Sequence, residues 1–197
     1  MNLPNKLTIM RICLVPFMIA TLLWDFPMHF LVSGILFGIA SITDYFDGKI
    51  ARKHNLITDF GKFADPLADK ILVISVLVCF VAMKLCDPIL VIIVLFREFA
   101  ITSIRLVAAS SGRVIAANIW GKVKTVTQMV AIIAVFVFQI FLELCGGGVI
   151  PVGDESLANL TLILGITGYA LLWISTVFAI ISGVIYVKDN KDCIKER

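Results

Sequence analysis

The sequence predicts an all-α membrane protein that crosses the bilayer six times, and three observations support this prediction. First, 60% of the 197 residues are hydrophobic, 16% are charged, and the mean hydropathy is +1.02. A soluble domain has about 25% charged residues, so this chain lacks the side chains for a water-facing surface. Second, the apolar runs are long and do not alternate with polar residues. Third, helices satisfy their own backbone hydrogen bonds in lipid, which open strands do not.

Six apolar segments separated by short links are the predicted transmembrane helices, and together they form one membrane domain over residues 1–197. We place these helices at about 7–24, 29–53, 58–84, 87–111, 120–144 and 160–187. The N-terminal residues MNLPNKLTIMR do not lead into a short apolar core with a small-residue cleavage site, so we expect the first helix to be retained. The longest link, CGGGVIPVGDESLAN, is rich in glycine and is expected to be a loop.

Basic residues near the ends of the predicted helices indicate the orientation of the protein. Both termini, the link between helices two and three, and the link between helices four and five carry almost all of these residues. The three remaining links together contain one lysine, Lys84. We therefore expect both termini and the charged segment between helices two and three to face the cytoplasm. The net charge of +3 is modest, and we expect no nucleic-acid partner.

Helices two and three are apolar over only about half of their length. The apolar half extends from about His29 to Ile42 in helix two and from about Ile71 to Met83 in helix three. At 1.5 Å per residue each half covers roughly 20 Å, whereas the hydrocarbon core of a bilayer is roughly 30 Å thick. The polar halves must therefore enter the membrane. Because charged groups are unfavourable against lipid, they must line a water-accessible cavity on the cytoplasmic side of the helix bundle, at headgroup depth.

These polar halves carry aspartates and small residues at helical spacing. The residues are Asp44, Asp47, Gly48 and Ala51 on helix two, and Gly61, Asp65 and Asp69 on helix three. Positions three or four apart share one face of a helix, so each helix has one acidic face. The two helices are joined by a short link, which makes them antiparallel neighbours whose acidic faces can converge. The small residues leave room for a ligand or for close approach of the two backbones.

Four carboxylates on converging faces repel one another strongly at low dielectric. Their formal charge of −4 matches two divalent cations, and oxygen ligands suit Mg²⁺ or Mn²⁺. Proteins commonly hold Mg²⁺ with a few carboxylates and the phosphates of a substrate, which points to a pyrophosphate-type substrate. In the alternative interpretation, the aspartates cap helices or pair with Arg52, Lys62 and Lys70. That interpretation accounts for two of the four aspartates but not for all four at helical spacing on adjacent helices.

The segment from Asp44 to Asp69 also resembles the signature of a known enzyme family. It contains DxxDGxxAR, then eight residues, then GxxxDxxxD. This pattern is similar in residue type and spacing to that of the CDP-alcohol phosphatidyltransferases. The resemblance implies a six-helix membrane fold, usually a homodimer in the lipid bilayer. It also implies transfer of a phosphatidyl group from CDP-diacylglycerol to an alcohol, with release of CMP.

The resemblance further implies roles for individual residues. The implied metal ligands are Asp44, Asp47, Asp65 and Asp69. The implied contacts to CDP-diacylglycerol are Asn5, Thr8, Asp44, Gly48, Ala51, Arg52 and Gly61. Asp69 is also the implied general base that takes the proton of the attacking hydroxyl. An aspartate near cations keeps a low pKa, so Asp69 is a weak base unless the metal also acidifies the alcohol.

Basic residues on helices four and five form the predicted site for the phosphate of an acceptor alcohol. They are Arg105, Arg113, Lys122 and Lys124. Arginine offers phosphate a fork of donors and lysine offers a point charge. Membrane topology alone also places positive residues at helix ends, and this alternative stays open. Deeper in helix four, Arg97 and Glu98 indicate either a functional site or a structural bond between helices. As helix neighbours, they are not expected to be simply each other's partners.

The segments PNKLTIMR, TDFGKFADPLADK and GKVKT, together with the Arg97-Glu98 pair, are similar to one bacterial branch of the family. That branch uses sn-glycerol 3-phosphate as acceptor, which implies phosphatidylglycerol phosphate as the product and the bacterial cell membrane as the location. The likeness covers about residues 3–130. Phosphatidylglycerol, an inositol phosphate and serine are alternative acceptors within the family. A divalent-cation channel or transporter is a more distant alternative, and a prenyltransferase-like activity normally has adjacent aspartates that this chain lacks.

Overall fold

Six α-helices make up the part of the chain that the computed structural model describes, which comprises residues 3–53, 59–110 and 118–191. The helices are α1 (Leu3–Leu23), α2 (His29–Lys53), α3 (Asp59–Ala82), α4 (Pro88–Ser110), α5 (Ile119–Gly146) and α6 (Asp154–Asp189). The side chains of residues 3–5, 44–53, 59–66 and 110 lie outside the described part. No strand occurs in the described ranges, so the predicted all-α fold with six helices is confirmed.

The predicted helix boundaries agree with the structure to within a few residues, except at the start of α6. This helix begins at Asp154 rather than at about residue 160. Asp154 and Glu155 occupy its first turn, where carboxylates interact favourably with the positive end of the helix dipole. The polar composition of DESLAN favours a loop in the sequence, but these residues form the first turns of a helix that projects beyond its apolar part.

Three of the helices are long and apolar enough to cross a membrane. The qualifying segments are Lys6–Leu23 in α1, Ile119–Gly146 in α5 and Asp154–Asp189 in α6. A shorter apolar segment, His29–Thr43, lies in α2. The other two helices carry charged side chains near the middle of their length, namely Lys70 in α3 and both Arg97 and Glu98 in α4. These two helices therefore bring charged side chains into the bundle.

The outward faces of the helices are apolar. Among the large hydrophobic side chains, Phe17 is 66% exposed, Phe96 is 76% exposed and Ile163 is 58% exposed. In each of the three longest apolar segments, about a third of the residues or fewer are buried inside the protein. A water-soluble protein does not present continuous apolar faces of this size, whereas lipid tails solvate them well. The chain is accordingly a membrane protein.

Consecutive helices run in opposite directions because the links between them are short. We name the two ends of the bundle by their contents. The charged end holds the starts of α1, α3 and α5 and the ends of α2, α4 and α6, while the distal end holds the α1–α2, α3–α4 and α5–α6 links. The most extensive helix contacts are those of α1 with α2 and of α5 with α6, followed by α1 with α3 and α4 with α6.

An aromatic cluster of Phe37, Phe80 and Phe136 forms the centre of the core. The ring centroids of Phe37 and Phe136 are 5.6 Å apart, and those of Phe80 and Phe136 are 5.4 Å apart with an edge-to-face arrangement. These three residues lie on α2, α3 and α5, and each is at most 3% exposed. Aromatic pairs of this geometry stabilise a core beyond the area they bury. The cluster therefore holds three helices together between the two ends.

Two small polar groups of residues join helices to one another at the distal end. The Nε2 atom of His29 lies 3.4 Å from Oε1 of Glu143, which ties the start of α2 to the end of α5. Asp87 accepts a hydrogen bond from the Ile89 backbone N–H at 2.8 Å and another from the Tyr169 hydroxyl at 3.2 Å. Asp87 thus caps α4 and links it to α6. Each distal group contains one acidic side chain that contacts a residue of another helix.

Candidate active site

The four predicted metal-binding aspartates all lie inside helices. Asp44 and Asp47 belong to α2, and Asp65 and Asp69 belong to α3. Of these four side chains, only that of Asp69 is among the side chains that the structure describes. The side chains of the other predicted CDP-diacylglycerol contacts lie outside the described part except that of Thr8. Those outside it are Asn5, Gly48, Ala51, Arg52 and Gly61.

The carboxylate of Asp69 is held by an arginine from the first helix. Arg11 donates a hydrogen bond from Nη1 to Oδ1 of Asp69 at 2.7 Å, and its side chain is fully buried. The side chain of Asp69 is 49% exposed, so the pair extends from the interior to an accessible surface. Thr8 lies three residues before Arg11, on the same face of α1, and is also fully buried. The sequence marks Arg11 only as a basic residue near the N-terminus.

The aspartates of α2 and α3 lie in the half of each helix that is nearer the charged end. The ion pair just described ties the start of α1 to this half of α3. The contact of the His29 ring with the Leu22 carbonyl sets the antiparallel register of α1 and α2, and by that register Thr8 lies within one residue of the depth of Asp44. Aspartates from two helices at the same end of a bundle are an all-oxygen donor set, which fits a hard divalent cation.

A second group of charged residues surrounds Glu98, and we call it the Glu98 cluster. Its members are Lys70 of α3, Arg97, Glu98 and Thr102 of α4, and Lys124 of α5. Oε1 of Glu98 accepts hydrogen bonds from Arg97 Nη1 at 2.8 Å and from Lys124 Nζ at 2.6 Å. Lys70 Nζ lies 4.0 Å from the other carboxylate oxygen and donates to the Thr102 hydroxyl. Three positive charges and one negative charge leave this cluster with a formal charge of +2.

The charged side chains of the Glu98 cluster are largely removed from solvent. The exposed fraction is 7% for Lys124, 12% for Arg97, 15% for Glu98 and 25% for Lys70. Coulomb interactions are much stronger in such surroundings than in water. Lys70 follows Asp69 directly in α3, so the cluster and the Asp69 carboxylate lie at the same depth of the bundle. The excess positive charge is therefore presented next to the acidic helices.

Arg97 and Glu98 contact each other despite being neighbours on one helix, because the long arginine side chain reaches back to the carboxylate. Each also binds a residue on another helix, which confirms the expectation that they are not simply each other's partners. Arg97 donates from Nη2 to the Ser182 hydroxyl of α6 at 2.7 Å. A Cβ atom on Gly183 would lie 3.2 Å from Cγ of Arg97, so this glycine lets α6 approach the arginine closely.

The predicted acceptor-phosphate residues are only partly brought together. Lys124 is buried in the Glu98 cluster, whereas Lys122 is exposed, because residues two apart point to different sides of a helix. Arg105 lies about two turns from Arg97 toward the charged end, with its guanidinium 5.5 Å from the ring centroid of Tyr186. Its Nε donates to the Tyr186 hydroxyl at 3.2 Å. Arg113 lies outside the described residues.

Sequence comparison relates this architecture to known proteins. The profile of the family described as CDP-alcohol phosphatidyltransferase matches residues 1–181. A Bacillus subtilis (strain 168) protein is 39% identical, covering 98% of this chain and 97% of its own length. A Rickettsia bellii (strain RML369-C) protein is 36% identical over 96% of both chains. Both relatives are named CDP-diacylglycerol–glycerol-3-phosphate 3-phosphatidyltransferase.

The match extends over nearly the whole chain, including the helices that carry the Glu98 cluster. A more distant relative from Mycoplasma pneumoniae (strain ATCC 29342 / M129 / Subtype 1) has the same name and is 33% identical, with 98% of this chain and 89% of its own length covered. The helical bundle, the spacing of its aspartates and the family profile agree. The chain belongs to the CDP-alcohol phosphatidyltransferase family.

Proposed function

We propose that this protein transfers the phosphatidyl group of CDP-diacylglycerol to sn-glycerol 3-phosphate, forming phosphatidylglycerol phosphate and CMP. The observation that carries this proposal is the formal charge of +2 on the Glu98 cluster, at the depth of Asp69. A phosphate monoester carries a charge of about −1.5 to −2 at neutral pH and balances this excess. The names of the relatives, which include both substrates, support the same acceptor.

The charge of the cluster also argues against two of the alternative acceptors. Phosphatidylglycerol has a phosphodiester with a single negative charge, and serine has no net charge at neutral pH. Either acceptor would leave positive charge unbalanced in a largely buried site, which is unfavourable. An inositol phosphate has the same charge as glycerol 3-phosphate, and here the relatives' names favour glycerol 3-phosphate.

For the donor, we propose that Asp44, Asp47, Asp65 and Asp69 hold two divalent cations, Mg²⁺ or Mn²⁺. Such ions, when bound, neutralise charge on the pyrophosphate and on the departing CMP. The proposed contacts to the CDP-diacylglycerol nucleotide are Asn5, Thr8, Asp44, Gly48, Ala51, Arg52 and Gly61. The burial of Thr8 next to the Arg11–Asp69 pair supports its place near this site.

In the proposed reaction, Asp69 accepts the proton of the primary hydroxyl of glycerol 3-phosphate. The hydroxyl oxygen forms a bond to the phosphatidyl phosphorus, and the bond from that phosphorus to the bridging oxygen breaks. CMP leaves with the electron pair. Arg11 fixes the orientation of the Asp69 carboxylate, because a buried guanidinium bonded to one oxygen restricts rotation of the group. Lys70, Arg97 and Lys124 hold the acceptor phosphate at the depth of this carboxylate.

Arg105 and the predicted residues Arg113 and Lys122 complete the proposed acceptor site closer to the water phase. The distribution of basic residues supports a charged end that faces the cytoplasm of a bacterial cell, with both termini on that side. Glycerol 3-phosphate is water-soluble and would enter from the cytoplasm. The family resemblance supports a homodimer in the cell membrane.

The first test of this proposal measures CMP release by the purified protein in lipid vesicles that contain CDP-diacylglycerol. We expect release with sn-glycerol 3-phosphate and not with phosphatidylglycerol, inositol phosphate or serine. Removal of divalent cations with EDTA should abolish the reaction, and Mg²⁺ or Mn²⁺ should restore it. Release of CMP with phosphatidylglycerol but not with glycerol 3-phosphate would contradict the assignment.

The second test concerns the acceptor phosphate. Lys124→Gln removes a positive charge that Glu98 holds in place, and we expect the KM for glycerol 3-phosphate to rise by about tenfold or more. The KM for CDP-diacylglycerol should change by less than about twofold. Lys188→Gln, which alters an exposed lysine at the end of α6, is the matched control and should change neither value. Equal increases in both KM values would show that Lys124 acts on the fold rather than on the acceptor.

A further inference from the structure

Gln128 in α5 is a buried side chain with no part in the reaction described above. It is 3% exposed, and its amide nitrogen has no hydrogen-bond partner among the residues that the structure describes. Buried amide donors in native proteins are almost always bonded, because leaving one unbonded is unfavourable. Such a donor calls for a partner that the described residues do not supply, such as a ligand, an ion or an ordered water.

The position of Gln128 relates it to the acceptor phosphate site. It lies four residues after Lys124, on the same face of α5, and both residues belong to the buried side of that helix. One helical turn corresponds to about 6 Å along the axis. The Gln128 amide is therefore one turn deeper in the bundle than the lysine that binds Glu98.

The register of α2 and α5 relates the same residue to the acidic helices. Phe136 of α5 contacts Phe37, and Glu143 near the end of α5 lies beside His29 at the start of α2, so the two helices run antiparallel. Continued toward the charged end at the same rise per residue, this register places Gln128 within one residue of the depth of Asp44. Gln128 is thus one turn from the phosphate site and at the depth of the first aspartate.

A second polar group without a partner lies at nearly the same depth on the neighbouring helix. The hydroxyl oxygen of Ser41 in α2 is buried and makes no hydrogen bond to any described residue. Ser41 lies three residues from Asp44, toward the aromatic cluster. Ser41 and Gln128 therefore each leave a polar group without a hydrogen bond to a described residue. Each lies about one helical turn deeper in the bundle than a charged residue of its own helix, Asp44 for Ser41 and Lys124 for Gln128. This arrangement indicates a small polar ligand between α2 and α5 at that depth.

We propose that Gln128 determines acceptor specificity by donating a hydrogen bond from its amide to the secondary hydroxyl of glycerol 3-phosphate. This inference rests on the proposed function. With the phosphate on the Glu98 cluster and the primary hydroxyl at Asp69, the middle carbon of the acceptor lies between the two groups. Its hydroxyl is then the one polar atom of the acceptor that neither group engages. Gln128 is a buried donor one turn deeper in the bundle than Lys124 of the Glu98 cluster.

The test compares glycerol 3-phosphate with 3-hydroxypropyl phosphate, which lacks the secondary hydroxyl. We expect the unaltered protein to favour glycerol 3-phosphate by about tenfold or more in kcat/KM. Gln128→Met preserves the size of the side chain but removes the donor, and it should lower kcat/KM for glycerol 3-phosphate by about tenfold. The value for 3-hydroxypropyl phosphate should change by less than about twofold. Where turnover of the analogue is too slow, its Ki against glycerol 3-phosphate is measured instead.

Gln139→Met is the matched control on the same helix, about three turns nearer the distal end, and should leave both acceptors unaffected. Equal losses for both acceptors in Gln128→Met, or no loss for either, would overturn the proposal. The Gln128→Asn variant keeps an amide donor on a shorter chain and covers the case in which the methionine variant does not fold. It should lower kcat/KM for glycerol 3-phosphate more than for the analogue, and equal decreases for the two acceptors would again overturn the proposal. If the unaltered protein releases no CMP with glycerol 3-phosphate, the proposed function itself fails.

Discussion

The charged end and the distal end of the bundle both bury polar side chains, but they balance them differently. At the distal end, His29 lies beside one glutamate, and Asp87 is matched by a backbone N–H and a tyrosine hydroxyl. At the charged end, three cations share the single carboxylate of Glu98. Each distal group therefore has at most one negative charge, whereas the Glu98 cluster has a formal charge of +2. An unbalanced group identifies the place where a substrate of opposite charge completes the structure.

The largest expected effect is a loss of activity without a loss of stability, on substitution of a residue at the charged end. Asp69→Asn keeps an oxygen that can accept from Arg11 but removes the proposed base, so we expect kcat to fall by about 10³-fold. The midpoint of thermal unfolding in detergent should change little. Asp87→Asn, at the distal end, is the control and should retain normal CMP release. An Asp69→Asn protein with more than about a tenth of normal activity would show that another group takes the proton.

The next largest effect is a loss of stability when the aromatic cluster between the two ends is truncated. Phe136→Ala removes the ring that contacts both Phe37 and Phe80, and we expect it to lower the free energy of unfolding by about 3–5 kcal/mol. Below its unfolding temperature, the variant should keep normal KM values for both substrates. Phe17→Ala, which truncates an outward-facing ring, should cost less than about 1 kcal/mol. Comparable losses in the two variants would contradict the assignment of Phe136 to the core.

A smaller effect tests the charge balance itself. Glu98→Gln leaves three cations without a carboxylate, and we expect the free energy of unfolding to fall by about 2 kcal/mol. Because the remaining charge attracts anions more strongly, inorganic phosphate should raise the unfolding midpoint more in this variant than in the unaltered protein. The measurement is a thermal unfolding series with increasing phosphate at constant ionic strength. Equal shifts in the two proteins would indicate that the cluster does not bind phosphate.

The helices and the position of the aspartates were predictable because both depend on local sequence. Apolar runs of sufficient length give the six helices, and spacing of three or four residues gives the acidic faces of α2 and α3. The start of α6 was not predictable from hydropathy. Asp154 and Glu155 extend that helix beyond its apolar part through an interaction with the helix dipole, which does not depend on burial.

Contacts between distant parts of the chain were not predictable in the same way. Arg11 and Asp69 are 58 positions apart, and Arg97 and Ser182 are 85 apart, so no periodic pattern connects them. The basic residues of α5 illustrate the same limit. Lys122 and Lys124 look equivalent in the sequence, but the rotation of the helix about its axis exposes one and buries the other. That rotation is set by packing against α6 and α2 rather than by the residues themselves.

The hydrogen bond between Arg97 and Ser182 has a consequence for biosynthesis. Ribosomes make the chain from the N-terminus, so the helices that contain the aspartates and Arg11 enter the membrane first. The arginine of the Glu98 cluster acquires its hydrogen bond to Ser182 only when the sixth helix has been inserted. A nascent or truncated chain that lacks α6 would therefore have its acidic helices and the Arg11–Asp69 pair, but its Arg97 would be without the bond to Ser182. The proposed acceptor site is completed only after the sixth helix has been made.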